Sequence, residues 1–162
     1  MSIERPAVDH REPAQAIDDM VDHVLALAET WLDWDGRPRP IDDRIYTPHK
    51  AIRRVGDHMI DHLAQLDAHV AQIPSLPDTW HGSAITTESD LALFGTEDLE
   101  EARSRLKRLA QLWRTRLAAV PPEEMDRAEE DAYSPREMAF AAAGSVYYAD
   151  ALGDLSGVGS ID

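Results

Sequence analysis

The sequence predicts an all-α protein, a four-helix bundle of up-and-down type with a long connection between its second and third helices. Three observations carry that prediction. Four stretches repeat apolar residues at three- and four-residue steps, the period of a helix with one buried stripe. Each stretch is bounded by Pro, Gly or a capping residue. No convincing strand is present, since a strand at a short apolar run such as Ile85-Thr86-Thr87 would have no partner, so the helices must bury their stripes against one another.

The first helix covers about Ala14 to Trp34, with Ile17, Val21, Val24, Ala28, Trp31 and Leu32 on one stripe and Asp18, Asp22 and Glu29 opposite. Asp35-Gly36-Arg37-Pro38-Arg39-Pro40 stops it, because Gly tolerates positive φ and Pro cannot continue a helix. The second helix opens at Thr47-Pro48, where Thr can accept from a first-turn amide and Pro at the first position loses no bond. Its stripe is Ile52, Val55, Met59, Leu63, Leu66, Val70 and Ile73, and Pro74 and Pro77 end it. Residues 74–96 form the long connection, which contains Trp80, His81 and a Ser/Thr-rich run, with one or two helical turns between Ser89 and Phe94.

The third helix begins after Thr96 and reaches about Val120. Leu99, Ala102, Leu106, Leu109, Trp113, Leu117 and Val120 form its seam, and Pro121-Pro122 ends it. The carboxylates of Glu97, Asp98, Glu100 and Glu101 crowd its first turn, where they favour the helix dipole and read as structural. An acidic linker, Glu123 to Asp131, follows. The fourth helix opens at Ser134-Pro135 with Glu137 three residues after the Ser, a capping box, and Met138, Ala142, Ser145, Ala149 and Leu152 share its core face. Phe140, Gly144 and Tyr147 fall on its back and suggest a partner surface, such as that of a homodimer. The chain reads as one domain over residues 1–162, with an ordered core at 14–152 and a loose Gly/Ser/Asp-rich tail at 153–162.

Composition excludes several functions. With no cysteine there is no disulfide, thiolate metal site or cysteine nucleophile, so a metal would need His, Asp or Glu. A formal net charge of -15 repels nucleic acid and anionic membranes as partners. No apolar run approaches the roughly 20 residues of a membrane span. The opening MSIERPAVDHREP lacks the apolar stretch of a signal peptide, which makes a soluble, cytoplasmic protein the expectation. Arg supplies fourteen of the sixteen basic residues, a bias that points to a GC-rich bacterial genome. There is no Gly-x-Ser-x-Gly elbow and no Gly-rich phosphate loop before a helix.

The second and fourth helices begin alike, Tyr46-Thr47-Pro48 matching Tyr133-Ser134-Pro135, which suggests two helical hairpins related by a pseudo-twofold. These openings, the run His49-Lys50-Ala51-Ile52-Arg53-Arg54-Val55-Gly56-Asp57-His58-Met59-Ile60-Asp61-His62, the run Gly144-Ser145-Val146-Tyr147-Tyr148-Ala149, and Thr87-Glu88-Ser89-Asp90-Leu91 leading to the third helix resemble the DinB-like family of four-helix bundles. That resemblance spans nearly the whole chain. It implies a metal-dependent thiol transferase with a three-histidine site, two ligands coming from a His-x-x-x-His pair, which His58 and His62 match. On the fourth helix this chain departs from the pattern. Phe140, Ala141 and Ala142 stand where a His is expected, and Ser145 and Ala149 occupy the repeat equivalents of His58 and His62.

The residues themselves give the same focus. At 100° per residue His58, His62 and His69 fall within about 40° of one another, at the edge of the apolar stripe. His58 and His62 are one turn apart, close enough to share an ion, whereas His69 lies about 10 Å further along. A third ligand for zinc, nickel or iron must come from elsewhere, with His23 the first candidate and His81 the second. Trp80 is a candidate pocket wall, with Ser145 and Ala149 as the small residues that leave room for a small molecule. Trp31 and Trp113, on apolar stripes, read as core; His10 and His49 read as solvated. Two functions follow: a metal-dependent enzyme using a low-molecular-weight thiol, or a non-enzymatic member with a partial or lost metal site that binds a small ligand or serves as a dimeric scaffold.

Overall fold

A computed structural model describes residues 3–77 and 84–157. The chain is mostly helical: α1 Pro13–Thr30, α2 Pro48–Ala71, α3 Thr96–Ala118, α4 Pro135–Ala143 and α5 Val146–Leu152. The two sequence-marked starts form as their chemistry requires. Thr47 Oγ1 accepts from Lys50 N at 3.1 Å. Ser134 Oγ accepts from Glu137 N at 3.1 Å while Glu137 Oε1 accepts from Ser134 N at 2.9 Å, which closes the capping box.

Cross-helix contacts give the direction of each element. Asp18, Asp22 and Glu29 of α1 pair with Arg114, Lys107 and Arg103 of α3, so these two run antiparallel. Trp113 Nε1 donates to Met59 O and Arg116 pairs with Asp67, so α2 and α3 run parallel. His23 meets Asp150 and Trp31 Nε1 donates to Gly153 O, so α4–α5 follows α1; Arg54 meets Tyr148 and His62 meets Tyr133, so it opposes α2. The order is up-down-down-up, not a simple up-and-down alternation. α1 and α2 each pack on α3 and on α4–α5. A parallel α2–α3 pair needs a connection that returns the length of a helix, which accounts for the 24 residues between Ala71 and Thr96.

The core lies where the stripes meet: Ile17, Val24, Trp31, Val55, Met59, Leu66, Leu106, Trp113, Ala142 and Ala149 are fully buried. Burial of each large side chain contributes about 1.5–3 kcal/mol. Both core tryptophans satisfy their indole N–H on backbone carbonyls.

Three further expectations need correcting. A short hairpin, β1 Arg39–Ile41 and β2 Arg44–Tyr46, pairs antiparallel around Asp42-Asp43 where only a helix-stopping loop was expected. Asp42 takes the positive φ the turn needs. The stripe of α2 does not stay buried to its end: Val70 and Ile73 are 56% and 60% exposed. The fourth helix is interrupted. Gly144 and Ser145 carry i→i+3 bonds to Tyr147 N and Tyr148 N, and Ser145 Oγ donates to Ala142 O. This tighter turn advances each residue by more than 100°, so helical phase does not extrapolate across it. Phe140 is accordingly core, not part of an outer face with Gly144 and Tyr147. After α5, Leu155 is buried and its N–H donates to Thr30 Oγ1.

Candidate functional site

One row of α2, at four-residue steps, carries Lys50, Arg54, His58 and His62. Successive members lie one turn apart on one face. Three of them are buried: Lys50 is 2% exposed, Arg54 3% and His62 8%. Buried polar groups on this scale must find partners. Lys50 Nζ donates to Ile45 O of β2 and to Thr86 Oγ1, both at 2.8 Å, and sits 5.6 Å from the Tyr46 ring. Burial lowers its pKa.

The next turn meets α5. Arg54 Nη2 donates to Tyr148 Oη at 2.7 Å, and its guanidinium carbon lies 4.4 Å from the Tyr148 ring centroid. His58 Nε2 is 2.8 Å from the same hydroxyl, and the His58 and Tyr148 rings stack at 5.1 Å. Arg can only donate, so the phenol accepts from Arg54 and shares a second hydrogen bond with His58 Nε2. Burial, then the Arg54 charge, then His62 lower the His58 pKa from 6.5 to about 4, which favours its neutral form. His62 Nδ1 lies 2.8 Å from Gln65 Oε1, and its ring faces Tyr133 at 6.3 Å.

The neighbouring Arg53 points to the long connection. It holds Asp90 at 2.7 Å and donates to Ile85 O, while Asp90 accepts from Thr87 N. The 3-10 turn Glu88–Leu91 is thereby fixed against the first half of α2.

His58 and His62 are thus brought together, with ring centroids 6.0 Å apart. His23 is on the surface, half-exposed, with Nε2 2.7 Å from Asp150 Oδ1. His81 and Trp80 lie outside the described residues. His69 pairs with Glu124 at 3.8 Å. His49, expected to be solvated, is half-buried against Phe94 and 3.1 Å from Leu93 O. Ser145 commits its hydroxyl to Ala142 O, and Ala149 is wholly buried. Zinc sites ordinarily use three protein ligands. Among the described residues no group of three or more His, Cys, Asp or Glu side chains is placed to hold a metal ion, so two imidazoles and a phenol do not complete such a set.

Arg54, Tyr148 and Tyr133 were not singled out by sequence reasoning as site residues. The signal was present: a polar residue every fourth position, Lys50 to His62, runs beside the apolar stripe of α2. No helix among the described residues is long and apolar enough to cross a membrane. No family model, curated protein sequence or solved structure matches the chain.

Proposed function

We propose that the protein is a cytoplasmic, DinB-like four-helix bundle whose α2–α5 polar cluster binds a small ligand, and that it does not carry out metal-dependent thiol transfer. One observation carries this reading. The Tyr148 hydroxyl, held by Arg54, lies 2.8 Å from His58 Nε2 and so occupies a nitrogen through which His58 would hold a metal. Arg54, His58, Tyr148 and His62 instead offer a donor, two imidazoles and a hydroxyl to a small polar molecule.

The test is elemental analysis of protein purified without chelator or affinity metal, followed by zinc and nickel titration. The expected result is no stoichiometric metal and no gain in Tm with either ion. One equivalent of metal in the native protein, lost in His58→Ala, overturns the reading. A fragment screen observed by NMR supplies the positive arm, with ligands that shift the His58 and His62 ring signals and lose affinity in Tyr148→Phe.

A second reading, the metal-dependent S-transferase, draws on a different observation. His58 is held in the neutral form that metal ligation requires, with His62 one turn along the same edge. Stoichiometric metal that depends on both histidines would favour it.

A further inference from the structure

At the other end of α5 the loop after α1 forms a groove of about 370 Å³, lined by Asp35, Arg37 and Arg39 with Pro38, Ile41 and Ala151 as apolar walls. The loop is fixed by its own chemistry. Trp34, itself buried, donates Nε1–H to Arg37 O at 3.0 Å, Asp35 Oδ1 accepts from Arg37 N at 2.9 Å, and Gly36 supplies the positive φ between them. Arg39 is held by the hairpin, paired across from the buried Tyr46.

The lining carries one more cation than anion in a strongly acidic chain. The chain carries -15 overall, and Arg5, Arg11, Arg53, Arg114, Arg116 and Arg136 each hold a carboxylate. Among the described residues the Arg37 and Arg39 guanidiniums have no such partner, although acids outnumber bases almost two to one. With Asp35 also in the lining, the groove keeps one net positive charge, which an oxyanion on the two guanidiniums would offset. Guanidinium forks match phosphate oxygens in pairs. Asp35 would repel the phosphate but accept well from a hydroxyl, and Pro38, Ile41 and Ala151 suit a carbon skeleton.

We infer that this groove binds a phosphorylated polyol, its phosphate on Arg37 and Arg39 and a hydroxyl on Asp35. The site is separate from the α2–α5 cluster, and neither depends on the other.

The experiment is calorimetric titration of the full chain with glucose 6-phosphate, inorganic phosphate and glucose at low salt. Sugar phosphate should bind, inorganic phosphate more weakly, and glucose not at all. Arg37→Gln and Arg39→Gln should each weaken binding about tenfold or more, the loss of one charge-assisted contact. Asp35→Asn should strengthen inorganic phosphate and weaken the sugar phosphate relative to it. Arg44→Gln, on the same hairpin but beside Asp43, should change little. Absence of sugar-phosphate binding at millimolar concentration overturns the inference, as does binding unchanged in the Arg37→Gln/Arg39→Gln double variant.

Discussion

α2 and α4–α5 start with the same local chemistry and then diverge. Both open on Tyr, a hydroxyl cap and Pro, and both caps form with the same 3.1 Å bond. Four-residue steps from there give Lys50, Arg54, His58 and His62 in one, and Glu137, Ala141, Ser145 and Ala149 in the other. The first row is charged or titratable; the second is small after its first member. The helices run antiparallel against each other, so the long polar side chains of α2 meet a neighbour that leaves room for them. Tyr148 reaches back, and it takes the two middle members of the α2 row on one oxygen. The difference teaches that a shared helix start fixes where a helix begins, while the residues on its inner edge decide what that helix can hold.

The largest break in this comparison is to make the α2 row resemble its counterpart. Arg54→Ala places the residue found at the equivalent Ala141. It removes a buried cation, its hydrogen bond to Tyr148 and its packing on that ring, and leaves the phenol oxygen without that donor. The expected loss is about 3 kcal/mol, read from urea unfolding. A loss under about 0.5 kcal/mol, the usual range for surface changes, would show that the row is incidental to the fold.

Acid titration is the next sharpest test. The native His58 pKa is depressed to about 4 from 6.5, so the unfolded chain binds a proton there first as pH falls. Stability from this group is complete above pH 6.5 and is lost as pH drops towards 4. The shift alone corresponds to about 3 kcal/mol, reduced to roughly 2 by the solvent its edge still reaches. Arg54, His62 and Tyr148 are among the groups facing it. His58→Gln keeps a hydrogen-bonding partner for the phenol without titrating, and should flatten the stability curve between pH 6.5 and 4. A slope unchanged by that substitution would assign the acid sensitivity to other groups.

Tyr148→Phe removes one oxygen and keeps the ring against Arg54 and His58. It should cost about 1–2 kcal/mol, less than Arg54→Ala, because the cation keeps its aromatic face. An equal cost in the two variants would mean the hydroxyl, not the buried cation, dominates the cluster.

These effects also mark what sequence could and could not disclose. The starts at Thr47-Pro48 and Ser134-Pro135 are legible because a cap is made within four residues. The core stripes of α1 and α3 are legible for a similar reason, since period alone places Ile17, Val24, Leu106 and Trp113 inside. The hairpin is not, because its strands are three residues each and one holds Pro40. Val70 and Ile73 continue the α2 stripe in sequence but are exposed, since a stripe does not record where its neighbours stop covering it. His58 and His62 stood out as a spaced pair. Tyr148 did not, because its role depends on an antiparallel neighbour and on the tightened turn at Gly144-Ser145 that sets its direction.

The smallest effect separates the two starts themselves. Thr47→Ala and Ser134→Ala should each cost about 1 kcal/mol, since each removes one acceptor from a first-turn amide. Their third helical residues differ, however: Glu137 returns a bond to Ser134 N, whereas Lys50 turns away to Ile45 O and Thr86. A double-mutant cycle reads this directly. Ser134→Ala with Glu137→Ala should couple by about 0.5 kcal/mol or more, because the two side chains form one reciprocal unit. Thr47→Ala with Lys50→Ala should be additive to within about 0.3 kcal/mol, because the cap accepts from the Lys50 backbone and not from its side chain. Equal coupling in both pairs would mean that the buried ammonium and the cap depend on each other through the β2 strand they share, and that the two helix starts differ less than their hydrogen bonds imply.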